Sequence, residues 1–234
     1  MTLNEVMKEL ESLGTEQTRK IYRNHGADIE QYGVSVANIK KIAKKLNGMH
    51  ELGIELLLSG NVDAIYLSQY VVNPEYVTSK ELELVIDQTN YYMLLDNVVA
   101  PLIARNNKLV DELLYPYLES GNDRKKQVGY TVYSMILGSF DDDLIDYNHV
   151  KRTIEYIKQN IHDSENRVRY SMNNFLISAG AANEDITELS KIAAKHIGKV
   201  SVHMGKTSCK VPDAVAYIEK IEHMGNIGKK RKLK

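Results

Sequence analysis

Apolar residues recur at helical spacing along nearly the whole chain, and no stretch alternates with the two-residue period of a half-buried strand. The first helix opens at Thr2, with Glu5 three residues on as a capping box. Leu3, Val6, Met7 and Leu10 form its apolar stripe and Gly14 ends it. Residues 14–34 are less regular and carry Arg19, Lys20, Arg23 and His25 ahead of a GADIEQYGVS loop. Ser35 is placed to cap VANIKKIAKKL, where Val36, Ile39, Ile42, Ala43 and Leu46 face one way and Lys40, Lys41, Lys44 and Lys45 the other. Short helices are predicted at about 49–59, 62–72 and 79–89, separated by Gly60-Asn61 and Asn73-Pro74, with Thr78 and Glu81 as a second capping box. A helix then carries Tyr91 to Asp96, with Pro101 predicted to kink or break it. Further helices are predicted at about 107–118, 124–138, 149–161, 165–180 and 184–197, and a last one at about 212–223 with Pro212 in its first position.

Antiparallel helix pairs of about 30–40 residues define an all-α chain in the period range of HEAT or armadillo units, which stack into a curved α-solenoid. A compact helical bundle is the other arrangement such helices allow. Residues 1–228 read as a single helical-repeat domain. Residues 229–234 read as a basic and mobile C-terminal tail containing Lys229, Lys230, Arg231, Lys232 and Lys234.

A length of 234 residues, 43% hydrophobic and 26% charged, suits a soluble globular protein with a sizeable core. No apolar run approaches the roughly 20 residues of a membrane span. The charged, amphipathic start is not a signal peptide, and the single cysteine, Cys209, fits a reducing compartment, so a cytoplasmic protein is expected. The net charge of −1 conceals an asymmetry. Residues 195–234 hold 10 of the 30 Lys and Arg but only 3 of the 31 Asp and Glu, a balance of +7 against −8 for residues 1–194. A basic end on an acidic body steers a protein towards phosphates.

The seven histidines are scattered without acidic partners at metal-ligand spacing, so no metal site is expected. Cys209 lacks an identifiable base, and GKTSCK lacks the spacing of a phosphate-binding loop and follows no strand. Nucleic acid is the more consistent partner. Arg124, Lys125 and Lys126 open one helix, and Arg167 and Arg169 open another. Lys41 and Lys45 line a third, and Lys206 and Lys210 punctuate the C-terminal loop. Cations at helix entrances contact phosphates alongside backbone N–H groups; each cluster is equally a solvated helix face. Within NYYMLLDNVVAPLIARN, Asp96 follows Tyr92 by four residues, so both project from one face of an otherwise apolar helix. An acid in such a segment is costly unless it is paired or working. Tyrosines packed between helices and a carboxylate bonded to a neighbouring helix or lysine would satisfy the same pattern.

In the order and spacing of GVSVANIKKIAKKL, YYMLLD, NDRKKQVGYTVYSMIL and VRYSMNNFLISAG, the chain resembles the AlkD-like DNA alkylation repair family of HEAT-like repeat DNA glycosylases. GKVSVHMGKTSCKVPDAVAYIEK looks like a signature of one branch of that family. The resemblance covers nearly the whole chain and implies duplex DNA bound in a concave, basic groove. For the active members it also implies cofactor-free excision of N3- or N7-alkylated purines. By this resemblance Asp96 takes the place of the catalytic aspartate and Tyr92 that of a catalytic-site tryptophan, with Tyr91 beside it. Gln127 takes the place of an arginine, with Lys126 its basic neighbour. Asn174, next to Asn173, falls near a second tryptophan. The chain has no tryptophan at all. Two readings follow: a glycosylase, a hydrolase of the N-glycosidic bond in which Asp96 and Tyr92 stabilise the sugar cation, and a non-catalytic binder of branched or damaged DNA. A helical-repeat scaffold for another protein is the third class.

Overall fold

The computed structural model describes residues 1–233 and is all-α; among these residues there is no strand, only an isolated parallel bridge between Glu30 and Asn61. No helix among them is long and apolar enough to cross a membrane. The chain forms two compact units, Met1–Leu113 with Met204–Ser208, and Leu114–His203 with Cys209–Lys234.

The first unit begins with α1 (Leu3–Leu13), where Thr2 and Glu5 close the expected capping box. Gly14 follows in extended conformation with φ −69°, so it is not a left-handed stop. Its missing side chain matters because a Cβ there would lie 2.2 Å from the carbonyl oxygen of Tyr32. Next comes α2 (Glu16–Asn24), in the stretch expected to be irregular. It buries none of its residues, so it leaves no apolar stripe to read, and Thr15 caps it by accepting from the Thr18 N–H. Ser35 caps α3 (Val36–Lys45) as expected. Then follow α4 (His50–Leu57), α5 (Val62–Ser68) and α6 (Ser79–Gln88), the last opened by the Thr78–Glu81 box. The core of this unit joins Val6 and Leu10 of α1 to Ile39, Ile42 and Leu46, Leu56 of α4, and Ala64 and Leu67 of α5. Each such fully buried leucine or isoleucine stabilises the fold by about 1.5–3 kcal/mol.

A buried carboxylate organises the loop ahead of α3. Asp63 in the first turn of α5 is fully buried and accepts hydrogen bonds from the backbone N–H groups of Tyr32 (2.7 Å), Gly33 (3.0 Å) and Val34 (2.7 Å). Burial pushes its pKa above the usual carboxylate range, against the downward pull of those donors. Asp63 thus supplies the partners that a loop without regular structure would otherwise lack.

After α6 the chain turns through Thr89 and Asn90 into α7 (Tyr92–Leu94), continues through a π-helical segment Leu95–Val99, and resumes as α8 (Ala100–Ala104). The break expected at Pro101 is instead this widened segment, in which the Ala100 N–H donates to the Leu95 carbonyl five residues back. Proline offers no N–H and crowds the carbonyl four residues before it; a widened turn accommodates both defects without ending the helix.

The remaining helices are α9 (Asn107–Leu118), within which the division between the units falls, α10 (Asp123–Ser139), α11 (Tyr147–Asn160), α12 (Asn166–Ala182), α13 (Glu184–Ile197) and α14 (Ala214–His223). In the second unit α12 is central, packing on α10, α13 and α14, while α11 packs on α13. Phe175 of α12 meets the rings of Tyr130 (6.1 Å) and Tyr133 (4.9 Å) from α10. Gly180 lets α14 approach, since a Cβ there would stand 2.7 Å from the Ile218 side chain. The last helix starts after Pro212, because Asp213 is its cap and accepts from the Ala216 N–H. The basic C-terminal segment, expected to be mobile, is held at its start. The Lys230 ammonium lies 2.7 Å from the Asp142 carboxylate and donates to the Leu137 carbonyl, and the Arg231 N–H donates to the Gly138 carbonyl. Lys234 lies outside the described residues.

Candidate functional site

In the first unit the Tyr91–Asp96 segment is positioned from the far end of α2. Asp28 accepts from the Thr89 hydroxyl and from the Asn90 backbone N–H at 2.8 Å, which fixes the turn into α7. The Thr89 hydroxyl oxygen in turn accepts from the Tyr91 N–H at 2.9 Å. Tyr91 is 2% exposed and its ring packs 6.4 Å from that of Tyr22, whose hydroxyl donates to the Val34 carbonyl. Burial raises the pKa of both tyrosines, so they remain neutral hydrogen-bonding groups. Tyr91 therefore serves as a packing residue, and the DNA contact expected of it is not available to a side chain so enclosed.

Tyr92 differs. It is half-buried, stands edge-on to Tyr91 with ring centroids 5.9 Å apart, and its hydroxyl is 2.7 Å from Nδ1 of His25. The next residue back, Asn24, accepts through its carbonyl from the Lys206 N–H, and Gly205 fits closely against that same carbonyl. Residues from α2, α7 and the 204–208 loop are thereby brought to one locality, with Lys206 itself exposed. Asp96 is half-buried and lies in the π-helical segment, one turn beyond Tyr92. Lys41 and Lys45 sit on the exposed side of α3; the Lys45 ammonium is committed to Glu9 at 2.6 Å.

In the second unit, α10 is capped by Asn122, which accepts from the Arg124 and Lys125 N–H groups. The Lys125 ammonium lies over the Tyr117 ring, 5.5 Å from its centroid. Gln127 is 3% exposed, so it is a packing residue where a DNA contact was expected. On α12, Asn173 is 2% exposed and its amide donates to the Pro212 carbonyl at 3.0 Å, which ties α12 to the entry of α14. Its neighbour Asn174 is half-buried. Arg169 donates to the carbonyls of Ser201 (2.9 Å) and Ser164 (3.0 Å), and Asn166 pairs with the His203 backbone through both its amide and its carbonyl. Arg169 therefore fastens the loop after α13 as well as presenting charge. Lys210 is exposed in the loop before α14.

Asp28 and Tyr22 carry no sequence signal of their own, and His25 stands out in the sequence only as part of a basic stretch. His25 and Tyr92 are separated by 67 positions, and no local pattern connects them. Among the described residues no group of three or more His, Cys, Asp or Glu is placed to hold a metal ion.

An all-α chain whose conspicuous polar groups are an aspartate on a tyrosine-bearing turn and cations at helix entrances falls in the class of helical-repeat proteins related to HEAT-like DNA glycosylases. Comparison with solved structures agrees. The chain superposes with a TM-score of 0.88, at 33% identity and over 99% of its length and 98% of the other's, on a structure described as a new family of proteins related to the HEAT-like repeat DNA glycosylases with affinity for branched DNA structures. Residues 6–201 match the family described as DNA alkylation repair enzyme, and the chain belongs to that family. It is also 35% identical over 235 residues to a protein of Listeria innocua serovar 6a, covering 97% of this chain and 100% of that one. A Listeria monocytogenes serovar 1/2a protein is 34% identical over 229 residues, covering 94% and 97%.

Proposed function

We propose that this protein binds branched or damaged duplex DNA through phosphate contacts, without excising a base. The observation that carries this reading is the 33% identity, over 99% of the chain, to a protein with affinity for branched DNA. The side chains agree with it. By resemblance, active members of the family carry an arginine and two tryptophans at the positions where this chain has Gln127, Tyr92 and Asn174. Gln127 is enclosed and carries no charge to meet a phosphate. Exposed Lys41, Lys206 and Lys210, together with Arg124 and Lys125, are the proposed phosphate contacts. A reducing, cytoplasmic compartment is part of the same reading, supported by a single cysteine in 234 residues.

Fluorescence anisotropy with a four-way junction and a linear duplex of equal length tests it. Tighter junction binding is expected, with a log–log salt slope of about −0.9 per neutralised phosphate. Equal affinity for the two DNAs, or affinity indifferent to salt, would count against it.

The family membership and Asp96 support a second reading, hydrolysis of the N-glycosidic bond of a cationic N3- or N7-alkylpurine. The cationic purine would leave as a neutral base with the electrons of the glycosidic bond, water would add its hydroxyl to the sugar carbon, and its other proton would pass to solvent with the positive charge. Asp96 would stabilise the developing sugar cation and Tyr92 would supply an aromatic face. Release of free N7-methylguanine above the spontaneous rate, abolished by Asp96→Asn, would establish this reading over the first.

A further inference from the structure

The second unit contains a cavity of about 510 Å³ among α9, α10 and α11, and of the cations assigned to DNA contact only Lys126 lines it. Its volume lies in the range of small-molecule sites, roughly 300–1,000 Å³. Leu118 gives it an apolar wall, and Tyr156, a residue 45% exposed, gives it an aromatic side chain within reach of solvent. Lys126 from the first turns of α10 and Arg152 from α11 bring two positive charges, against one carboxylate, Glu119.

The two cations are available to a ligand. The half-buried Lys126 ammonium has no hydrogen-bond or ion-pair partner among the described residues. Arg152 reaches Asp146 only at 3.8 Å, with 67% and 50% of the two side chains exposed, a geometry worth little. The remaining polar wall is His149, whose environment defines its protonation. The Tyr133 hydroxyl, kept protonated by burial, sits 3.0 Å from Nδ1. With Nδ1 accepting from Tyr133, the neutral ring carries its proton on Nε2 and offers a donor there. Tyr115 holds the ring edge-on at 4.4 Å, and Thr153 spends its hydroxyl proton on the His149 carbonyl.

We propose that this cavity binds a single nucleotide, its phosphate between Lys126 and Arg152 and its base against Tyr156 and Leu118. An aromatic face accepts any base by stacking, and a phosphate is the group that two uncommitted cations and an imidazole N–H together satisfy. The same chemistry is offered by a free mononucleotide and by the phosphorylated end of a DNA strand. The site goes beyond the branched-DNA reading and does not depend on it, since every residue lining it comes from the second unit and the ligand is one nucleotide.

Isothermal titration of the full chain tests this with adenosine 5′-monophosphate, adenosine, inorganic phosphate, and a tetranucleotide with or without a 5′-phosphate. Saturable binding of the monophosphate at one site per chain is expected, with adenosine and phosphate each weaker by about tenfold or more. Arg152→Gln and Tyr156→Ala, both at exposed positions, are each expected to weaken it by about fivefold or more without moving the urea midpoint. Binding of only the 5′-phosphorylated tetranucleotide would support the site with a strand end as its source. No saturable binding of either phosphorylated ligand, inorganic phosphate binding as well as the nucleotide, or Arg152→Gln binding unchanged would each overturn the proposal. Four-way-junction affinity measured on the same variants separates the two readings: it is expected to persist when nucleotide binding is lost.

Discussion

The hydroxyl of Tyr92 meets Nδ1 of His25 across 67 residues of sequence at 2.7 Å, so the tyrosine one turn before Asp96 is oriented by the end of α2 and not by its own helix. A tyrosine held by its ring against Tyr91 and by its hydroxyl against His25 has little rotamer freedom left to lose when a ligand arrives.

His25→Phe is therefore expected to release Tyr92 and lower four-way-junction affinity by about three- to tenfold, the equivalent of one hydrogen bond. His25→Gln should recover part of it, because its amide can still reach the hydroxyl. Anisotropy titrations of both variants check this, and unchanged affinity in His25→Phe would remove Tyr92 from the binding face.

Asp63→Ala is expected to destabilise the protein by about 3 kcal/mol or more, since three backbone N–H groups at Tyr32, Gly33 and Val34 lose one shared acceptor in a buried place. Urea unfolding monitored by circular dichroism measures it. A loss under about 1 kcal/mol would mean that water reaches the loop.

Gly180→Val is expected to force α12 and α14 apart, at a cost of about 1–3 kcal/mol, because the added atoms collide with Ile218. Thermal unfolding should show a midpoint lowered by a few degrees or more. Gly138→Ala on α10, where a Cβ meets nothing within 4 Å, is the control and should not destabilise.

His149 makes stability depend on pH. Burial first, and Arg152 second, lower its pKa below the usual histidine value, with Asp146 and Glu119 opposing. A base that is harder to protonate when folded contributes stability that is complete above its ordinary pKa and is lost as pH falls through the lowered folded value. The urea midpoint should therefore fall between pH 7.5 and pH 5, and His149→Gln should flatten that dependence. An equal pH dependence in the variant would assign it to other groups.

Much of the helical architecture was legible in the chain because capping and amphipathicity are local. Thr2 with Glu5, Ser35, and Thr78 with Glu81 each mark a helix start within four residues, and all three caps form. The short helix α2 is hard to read from sequence because none of its residues is fully buried, and the Pro101 break became a π-helical turn because widening the helix costs less than ending it inside a buried segment. Asp213 displaced Pro212 as the final helix boundary because a side chain that accepts an N–H defines a cap and a compatible φ alone does not.

The sequence by itself determined that the protein is all-α and where its capping boxes lie, since each follows from spacing within a turn or two. Only the tertiary structure decided which polar residues are available. Tyr91, Gln127 and Asn173 went into the interior, Arg169 was engaged by backbone carbonyls, Lys230 was drawn onto Asp142, and Lys126 was left unpaired beside a cavity. The reason is physical: hydrogen bonding and desolvation depend on partners brought together from distant positions, and helical periodicity says nothing about which distant residue will fill a given donor or acceptor.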